Sequence, residues 1–310
     1  MLNYLVIGAG STGLALGAYL LSSDKNVSFV ARGETLKKIR NDGIILDSNE
    51  KGMLAFKDVN IYAPEEINRS FDVIFVCVKY YSLMSVIDIV SRASDGNTIV
   101  IPLVNVYGAS EELQAKLPNT CVLDGCMFVV SDLLEAGKAK LYGDTFNIIY
   151  GERGPQLVEL EHLEEIKNDL QDAGINAKLS KNIRSDIFKD YSFNCAYATV
   201  GAFHDVKAEA MQRIGSLERS EFSDLILEMI SLGKALEIDL GQNFLNESLE
   251  MLKSIPAETT ASMQKDIAEG KDNEMDGLTF RPVRLGKVFD VDMPVFEKIA
   301  KYYGCGRRKD

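Results

Sequence analysis

Tyr4-Leu5-Val6-Ile7-Gly8-Ala9-Gly10-Ser11-Thr12-Gly13 decides how this chain is read. Its opening apolar run has the pattern of a parallel strand buried on both faces. Three glycines follow at the spacing G-x-G-x-x-G, and Leu14-Ala15-Leu16-Gly17-Ala18-Tyr19-Leu20-Leu21 then reads as a helix. In that order each glycine has its own task. Gly8 permits the tight turn, Gly10 admits a pyrophosphate close to the backbone, and Gly13 lets the helix pack against the strand. The first N–H groups of a helix have no intrahelical partner and favour an anion. Gly8, Ala9, Gly10, Ser11, Thr12 and Gly13 are therefore the expected dinucleotide-binding turn.

Outward from this turn, residues 26–32 read as a second strand ending at Arg32. An acidic residue just past that strand would accept hydrogen bonds from free ribose hydroxyls, whereas an arginine pairs with a 2′-phosphate. Arg32 favours NADP over NAD, with Glu34 nearby as the opposing signal. Residues 34–41 look helical, Asp42-Gly43 forms a turn, and residues 44–46 and 59–62 look like short strands. Residues 71–78 form a clear apolar strand with Lys79 at its carboxyl end. After a helix at 82–93, residues 98–104 form another strand, with Asn105 beyond it. Ligands of open parallel sheets lie at the carboxyl ends of the strands. Lys79 is thus a candidate phosphate or ribose contact, although a solvated loop lysine fits the position equally well. The Asn105 amide both donates and accepts, so it can orient a nicotinamide ribose or a substrate; an Asx turn is the alternative. Residues 121–130 read as the sixth strand, and 138–150 as a hairpin extension turning at Gly143-Asp144.

A second region follows. Residues 156–173 carry apolar positions at helical spacing, and 177–180 are short and strand-like. Beyond them the patterns are helical: 185–200, 208–236, 242–253, 260–269, 275–288 and 294–303. The predicted fold is α/β, an N-terminal Rossmann-like parallel sheet domain over residues 1–182 followed by an all-helical C-terminal domain over 183–310. The basic tail 304–310 is expected to fray.

Composition narrows the function. The 310 residues are 46% hydrophobic, enough for a substantial core. The net charge of −12 argues against nucleic acid or an anionic membrane as partner. A phosphorylated cofactor must then be held by local basic residues. Cys77, Cys121, Cys126, Cys195 and Cys305 lack metal-type spacing, and their odd number fits reduced thiols in a cytoplasm. His162 and His204 also lack ligand spacing, so no metal is expected. The apolar N-terminus has no basic n-region and is interrupted by glycines, unlike a signal peptide. No uninterrupted apolar run is long enough to span a bilayer. No G-x-S-x-G elbow supports a hydrolase.

In the helical region, Asp190 and Asn194 are four apart and share a helix face. Lys189, five before Asn194, points well away on an ideal helix. Ser262, in Ala261-Ser262-Met263-Gln264-Lys265-Asp266, and Glu274, in Asn273-Glu274-Met275-Asp276, each fit a helix cap or a solvated face when taken alone.

These stretches together resemble the ketopantoate reductase (2-dehydropantoate 2-reductase) family along nearly the whole chain. The resemblance runs through Gly8-Ala9-Gly10-Ser11-Thr12-Gly13, Val30-Ala31-Arg32-Gly33, Val76-Cys77-Val78-Lys79 and Leu103-Val104-Asn105. It continues through Phe193-Asn194, Ser262-Met263-Gln264-Lys265-Asp266, Asn273-Glu274-Met275-Asp276 and Val283-Arg284-Leu285-Gly286-Lys287. It implies a cytoplasmic, homodimeric oxidoreductase acting on a CH–OH group. Its reaction would be the NADPH-dependent reduction of 2-dehydropantoate to pantoate, in the pantothenate route to coenzyme A. In the family a lysine on the first helix of the second domain is the general acid, while asparagines, a serine and a glutamate hold substrate and cofactor. By motif position Asn105, Asn194, Ser262 and Glu274 match that set, and Arg32 and Lys79 match the cofactor-phosphate and neighbouring positions.

The chain departs from the family pattern at three positions. The family lysine stands four residues before the asparagine, where this chain has Asp190, with Lys189 one place earlier. A further family asparagine is replaced by Ala198, and the glycine after Asn105 by Val106. An ionised aspartate beside an anionic keto acid is repulsive, by roughly 4 kcal/mol at about 4 Å and an effective dielectric near 20. It donates a proton only if burial raises its pKa. Three readings follow. In the one adopted, a rotated or locally bulged helix, such as a π-turn, brings Lys189 into the acid role, giving a catalytic set of Lys189, Asn194 and Ser262. In the second, the substrate is a different 2-keto acid and Asp190 binds a donor group on it. In the third, the chain is a catalytically silent NADP-binding paralogue.

Overall fold

The computed structural model describes residues 1–154 and 158–304. Residues 156 and 157 of the expected helix, Cys305 and the rest of the expected frayed tail lie outside them. The chain divides into two compact units, Met1–Ile183 and Arg184 onward.

In the first unit, β1 (Asn3–Ile7), α1 (Ser11–Leu21), β2 (Asn26–Val30) and α2 (Gly33–Asp42) open the fold. Then come β3 (Ile44–Ser48), β4 (Gly52–Phe56), β5 (Asn60–Tyr62), β6 (Val73–Val76), α3 (Ile87–Ala93) and β7 (Ile99–Pro102). The unit closes with α4 (Ala109–Lys116), β8 (Cys121–Val122), β9 (Asp124–Glu135), β10 (Lys138–Gly151), α5 (Leu160–Asp172) and β11 (Asn176–Leu179). A six-stranded sheet has the order β5-β2-β1-β6-β7-β8, with every pair parallel. β1 sits at its centre, and Tyr4, Leu5, Val6 and Ile7 are buried, as the unbroken apolar run requires.

A second, mixed sheet of β11, β10, β3, β4 and β9 covers the other side of α1. α1 is therefore buried from Gly13 to Leu20, packing against β2 on one side and β3, β9 and β10 on the other. A helix enclosed in this way is apolar all round rather than striped. The Tyr19 hydroxyl meets Ser48 Oγ at 2.9 Å, and its ring lies 5.0 Å from that of Phe146. Tyr4, the one hydroxyl in β1, donates to Asp169 Oδ2 of α5 at 2.7 Å, and Lys25 bonds the other oxygen at 2.6 Å.

Several expectations are corrected here. The sixth strand is only Cys121–Val122; at Asp124 the chain leaves the first sheet and enters the second. The hairpin turns at Ala136-Gly137, where Gly137 has φ +79° and its carbonyl accepts from Ile45 N. Gly143-Asp144 lies instead within β10, in a bulge where the register passes from Tyr142↔Val130 to Phe146↔Val129. The segment 82–93 opens as a 3₁₀ stretch, Tyr80–Val86, and becomes α-helical only at Ile87. β4, half exposed, carried no alternation strong enough to mark it.

The second unit contains α6 (Ile183–His204), α7 (Ala208–Gln212), α8 (Leu217–Ala235), α9 (Phe244–Ser254), α10 (Ser262–Ala268), α11 (Arg281–Phe289) and α12 (Pro294–Tyr302). The single helix expected over 208–236 is broken at Gly215, at φ +83°, and Ser216 caps α8 by accepting from Arg219 N at 3.1 Å. α6 packs on α8 through Phe193 against Phe222, rings 5.7 Å apart, and a Cβ at Gly233 would lie 3.0 Å from Phe188. Glu228 of α8 caps α12 by accepting from Val295 N at 2.6 Å and Phe296 N at 3.1 Å. Glu221 accepts from Lys298 at 2.7 Å and meets His204 Nε2 at 2.6 Å. Burial pushes the Glu221 carboxyl upward, but these two partners outweigh it and hold the group below the ordinary range.

The expected π-turn does occur, but at Asp276–Phe280, ahead of α11, and not in α6, which is α-helical from end to end. Pro282 explains it: proline lacks the N–H that would close the preceding turn. The Gly277 carbonyl is taken instead by the Tyr191 hydroxyl of α6 at 2.8 Å. Thr199 and Thr279 add a buried hydroxyl pair at 2.8 Å.

The enclosure of α1 predicts a contrast between two of its glycines. A Cβ at Gly17 would lie 2.1 Å from the Phe29 ring, whereas one at Gly10 meets nothing within 4 Å. Gly17→Val should cost at least about 1–3 kcal/mol in urea unfolding. Gly10→Ala should cost less, within roughly 1 kcal/mol. Equal losses would contradict this packing.

Candidate active site

Because β1, β2, β6 and β7 run parallel, their carboxyl ends share one edge. The turn Gly8–Gly13 leaves β1, Arg32 follows β2, Lys79 follows β6 and Asn105 follows β7. The chain runs from β1 outward to β2 and later returns to β6 on the other flank, so the switch point lies between β1 and β6. Neighbouring strands are ~4.8 Å apart, so β2 to β7 spans roughly 14 Å, a reach suited to an extended dinucleotide.

The three glycines differ as their tasks require. Gly8 has φ +107°, and a Cβ there would lie 2.6 Å from the Cys77 carbonyl oxygen. At Gly13 a Cβ would lie 1.9 Å from the Gly8 oxygen. Gly10 faces open space, which is what a pyrophosphate needs at the start of α1. No side chain caps α1, and its first turn holds no acidic residue to repel an anion. The turn fits the diphosphate of a dinucleotide.

Arg32 is exposed, and its Nη2 donates to the Ser85 carbonyl at 3.2 Å. Among the described residues no carboxylate pairs with it. Ser85 is a partner the sequence reading missed: nothing near it in the chain marks a residue 53 positions from Arg32. Lys79 and Asn105 are both partly exposed at the same edge.

In the second unit the candidate residues hang on α6. Tyr191 and Thr199 pin the π-turn that follows Glu274, which is buried. Gln264 donates to Asp205, just past the end of α6, at 2.9 Å, and so fixes α10, where Ser262 is exposed in the first turn. Asn194 is partly buried; its Nδ2 donates to the Asp190 carbonyl oxygen at 2.9 Å and to Asp190 Oδ2 at 3.1 Å. Because α6 carries no bulge, Lys189 lies about 140° around the helix from Asn194. Its Nζ is 3.3 Å from Glu247 Oε2 and 5.7 Å from the centre of the Phe244 ring, both on α9.

Asp190 is unlike an ordinary surface carboxylate. Burial pushes its carboxyl up to about 7, against the opposing hydrogen bond from Asn194. An acid whose folded pKa exceeds its unfolded value holds its proton more tightly when folded. Its contribution to stability is therefore greatest below the unfolded value of 3.8 and falls as pH rises to about 7. Asp190→Asn should remove this dependence. In urea unfolding at pH 5 and pH 8, the wild type should lose more stability between the two than the variant; parallel losses would contradict the shift.

Comparison with known proteins gives the family of the chain. The family described as "Ketopantoate reductase PanE/ApbA" matches residues 4–154, and "Ketopantoate reductase PanE/ApbA C terminal" matches residues 182–303. The uncharacterized oxidoreductase YkpB of Bacillus subtilis is 27% identical over 303 residues, covering 96% of each chain. The structure of 2-dehydropantoate 2-reductase from Geobacter metallireducens superposes with a TM-score of 0.89 at 22% identity, covering 99% of this chain and 100% of that one. The ternary structure of D-mandelate dehydrogenase with NADH and anilino(oxo)acetate gives 0.86 at 20% identity, covering 96% of each. The chain belongs to the ketopantoate reductase family and is an oxidoreductase of the type that acts on CH–OH groups.

Proposed function

We propose that this chain reduces a 2-keto acid to the 2-hydroxy acid with NADPH, and that its reaction is 2-dehydropantoate to pantoate in the pantothenate route. Arg32 carries the choice of NADP: it is an exposed guanidinium at the carboxyl end of β2, bonded to a carbonyl and, among the described residues, to no carboxylate. A 2′-phosphate offers it charge-assisted bonds that a free ribose does not. The turn Gly8, Ala9, Gly10, Ser11, Thr12 and Gly13 holds the diphosphate, Lys79 and Asn105 the ribose side, and Glu274 positions the cofactor. Asn194 and Ser262 orient the keto acid. The reduced nicotinamide supplies hydride; this chain supplies a proton from Lys189 or its neighbour Asp190 as charge builds on the carbonyl oxygen. A cytoplasmic homodimer belongs to the same reading, with exposed Ile214 and Leu217 among the surfaces a second copy would cover.

A second reading is a reductase of another 2-keto acid. Asp190, Ala198 and Val106 favour it, as does the likeness to a D-mandelate dehydrogenase.

Two measurements test these readings. Absorbance at the NADPH band should fall on mixing with 2-dehydropantoate; a fall only with other 2-keto acids moves the assignment to the second reading. Tight NADPH binding without turnover on any of them marks a silent paralogue. By calorimetry NADPH should bind more tightly than NADH, and Arg32→Ala should weaken NADPH alone, by about 10–100-fold for a lost charge-assisted contact. Equal affinity for both coenzymes in the wild type would remove the role given to Arg32.

A further inference from the structure

Asp190 and Asn194 form a small device on one face of α6. The Asn194 amide donates to Asp190 Oδ2 and to the backbone carbonyl of the same residue, which holds the carboxyl group at one oxygen and ties it to its own turn of α6. Asp190 Oδ1 accepts no hydrogen bond among the described residues, and the residue is partly buried. No lysine, arginine or histidine among the described residues pairs with the group. Lys189, beside it in sequence, is turned to Glu247 and Phe244 of α9. Among the described titratable groups, Cys195 of α6 feels the charges of Asp190 and of Arg281 of α11, and Tyr191 those of Arg281 and Arg284.

We propose that the carboxylic acid of Asp190 is the proton donor of the reduction and that Asn194 holds it in place. This rests on the reading of the chain as a 2-keto acid reductase. As hydride from the reduced nicotinamide bonds to the carbonyl carbon, the C=O π pair moves onto oxygen. The O–H bond of Asp190 breaks and its proton bonds to that oxygen, giving the hydroxy acid. Asp190 is left as a carboxylate and recovers its proton from water. Both electrons come from the dinucleotide, which leaves oxidised.

Electrostatics gives the same polarity. An ionised Asp190 would repel the substrate carboxylate, whereas the neutral acid offers it a donor. With the group near half-protonation at neutral pH, the competent form is the acid, and it is lost as pH rises.

The test uses the full chain with NADPH and a panel of 2-keto acids that includes 2-dehydropantoate, from pH 5.5 to 9. In the wild type kcat/KM should fall about tenfold per pH unit above neutrality. Asp190→Asn keeps the size of the side chain but cannot release a proton. It should lower kcat/KM by about 100-fold or more, abolish the alkaline limb and leave NADPH affinity by calorimetry within about twofold. Asp190→Glu should recover part of the turnover and the limb. Turnover of Asp190→Asn near the wild-type level, or an alkaline limb lost in Lys189→Ala but kept in Asp190→Asn, overturns the proposal and leaves the reductase reading standing. A wild-type profile flat between pH 6 and 9 overturns it without recourse to any variant. A wild type that binds NADPH but reduces no 2-keto acid overturns both.

Discussion

The first unit is built on the close contact between the turn that leaves β1 and the helix that follows it. Gly8, in a left-handed conformation, lies against the Cys77 carbonyl, and Gly13 leaves no room for a side chain over the Gly8 oxygen. This contact sets the start of α1 directly over the end of β1, where unpaired N–H groups can meet an anion. It also fixes α1 as the layer between two sheets, since a helix held this close to β1 is covered by β3, β9 and β10 on its other side. A side chain at Gly13 would lift the helix and separate both the phosphate site and the core.

Because β1 is central and its neighbours are parallel, the same contact orders the ligand edge. Arg32, the glycine turn, Lys79 and Asn105 follow four adjacent strands in spatial order, although they are scattered over a hundred residues of sequence. A chain this acidic holds a phosphorylated cofactor only where cations are local. Arg32 and Lys79 are cations at this edge, one on each flank of β1, and in the proposed reading they serve that purpose.

Much of this was legible in the sequence because it is local. An apolar strand, a glycine turn and a helix occupy one continuous stretch, and the strands ending at Arg32, Lys79 and Asn105 are marked by unbroken apolar runs. What was not legible depends on contacts between distant segments. The hairpin turn was placed at Gly143-Asp144 because that pair is a strong turn signal, yet Gly137 closes the hairpin, where its carbonyl also serves β3. The π-turn was expected in α6 to move Lys189, and it arose instead before Pro282, whose missing N–H frees a carbonyl for Tyr191. The carboxylate at position 190 was visible in the sequence. Its burial, which raises the carboxyl to about 7, and the opposing hydrogen bond from Asn194 were not.

The most direct test of the central claim is hydrogen exchange along the opening turn with and without NADPH. The amides of residues 9–14 should exchange markedly more slowly when the coenzyme is bound, because the diphosphate takes N–H groups that otherwise face water. Unchanged exchange in this stretch, with NADPH demonstrably bound, would place the coenzyme elsewhere and contradict the assignment of the site.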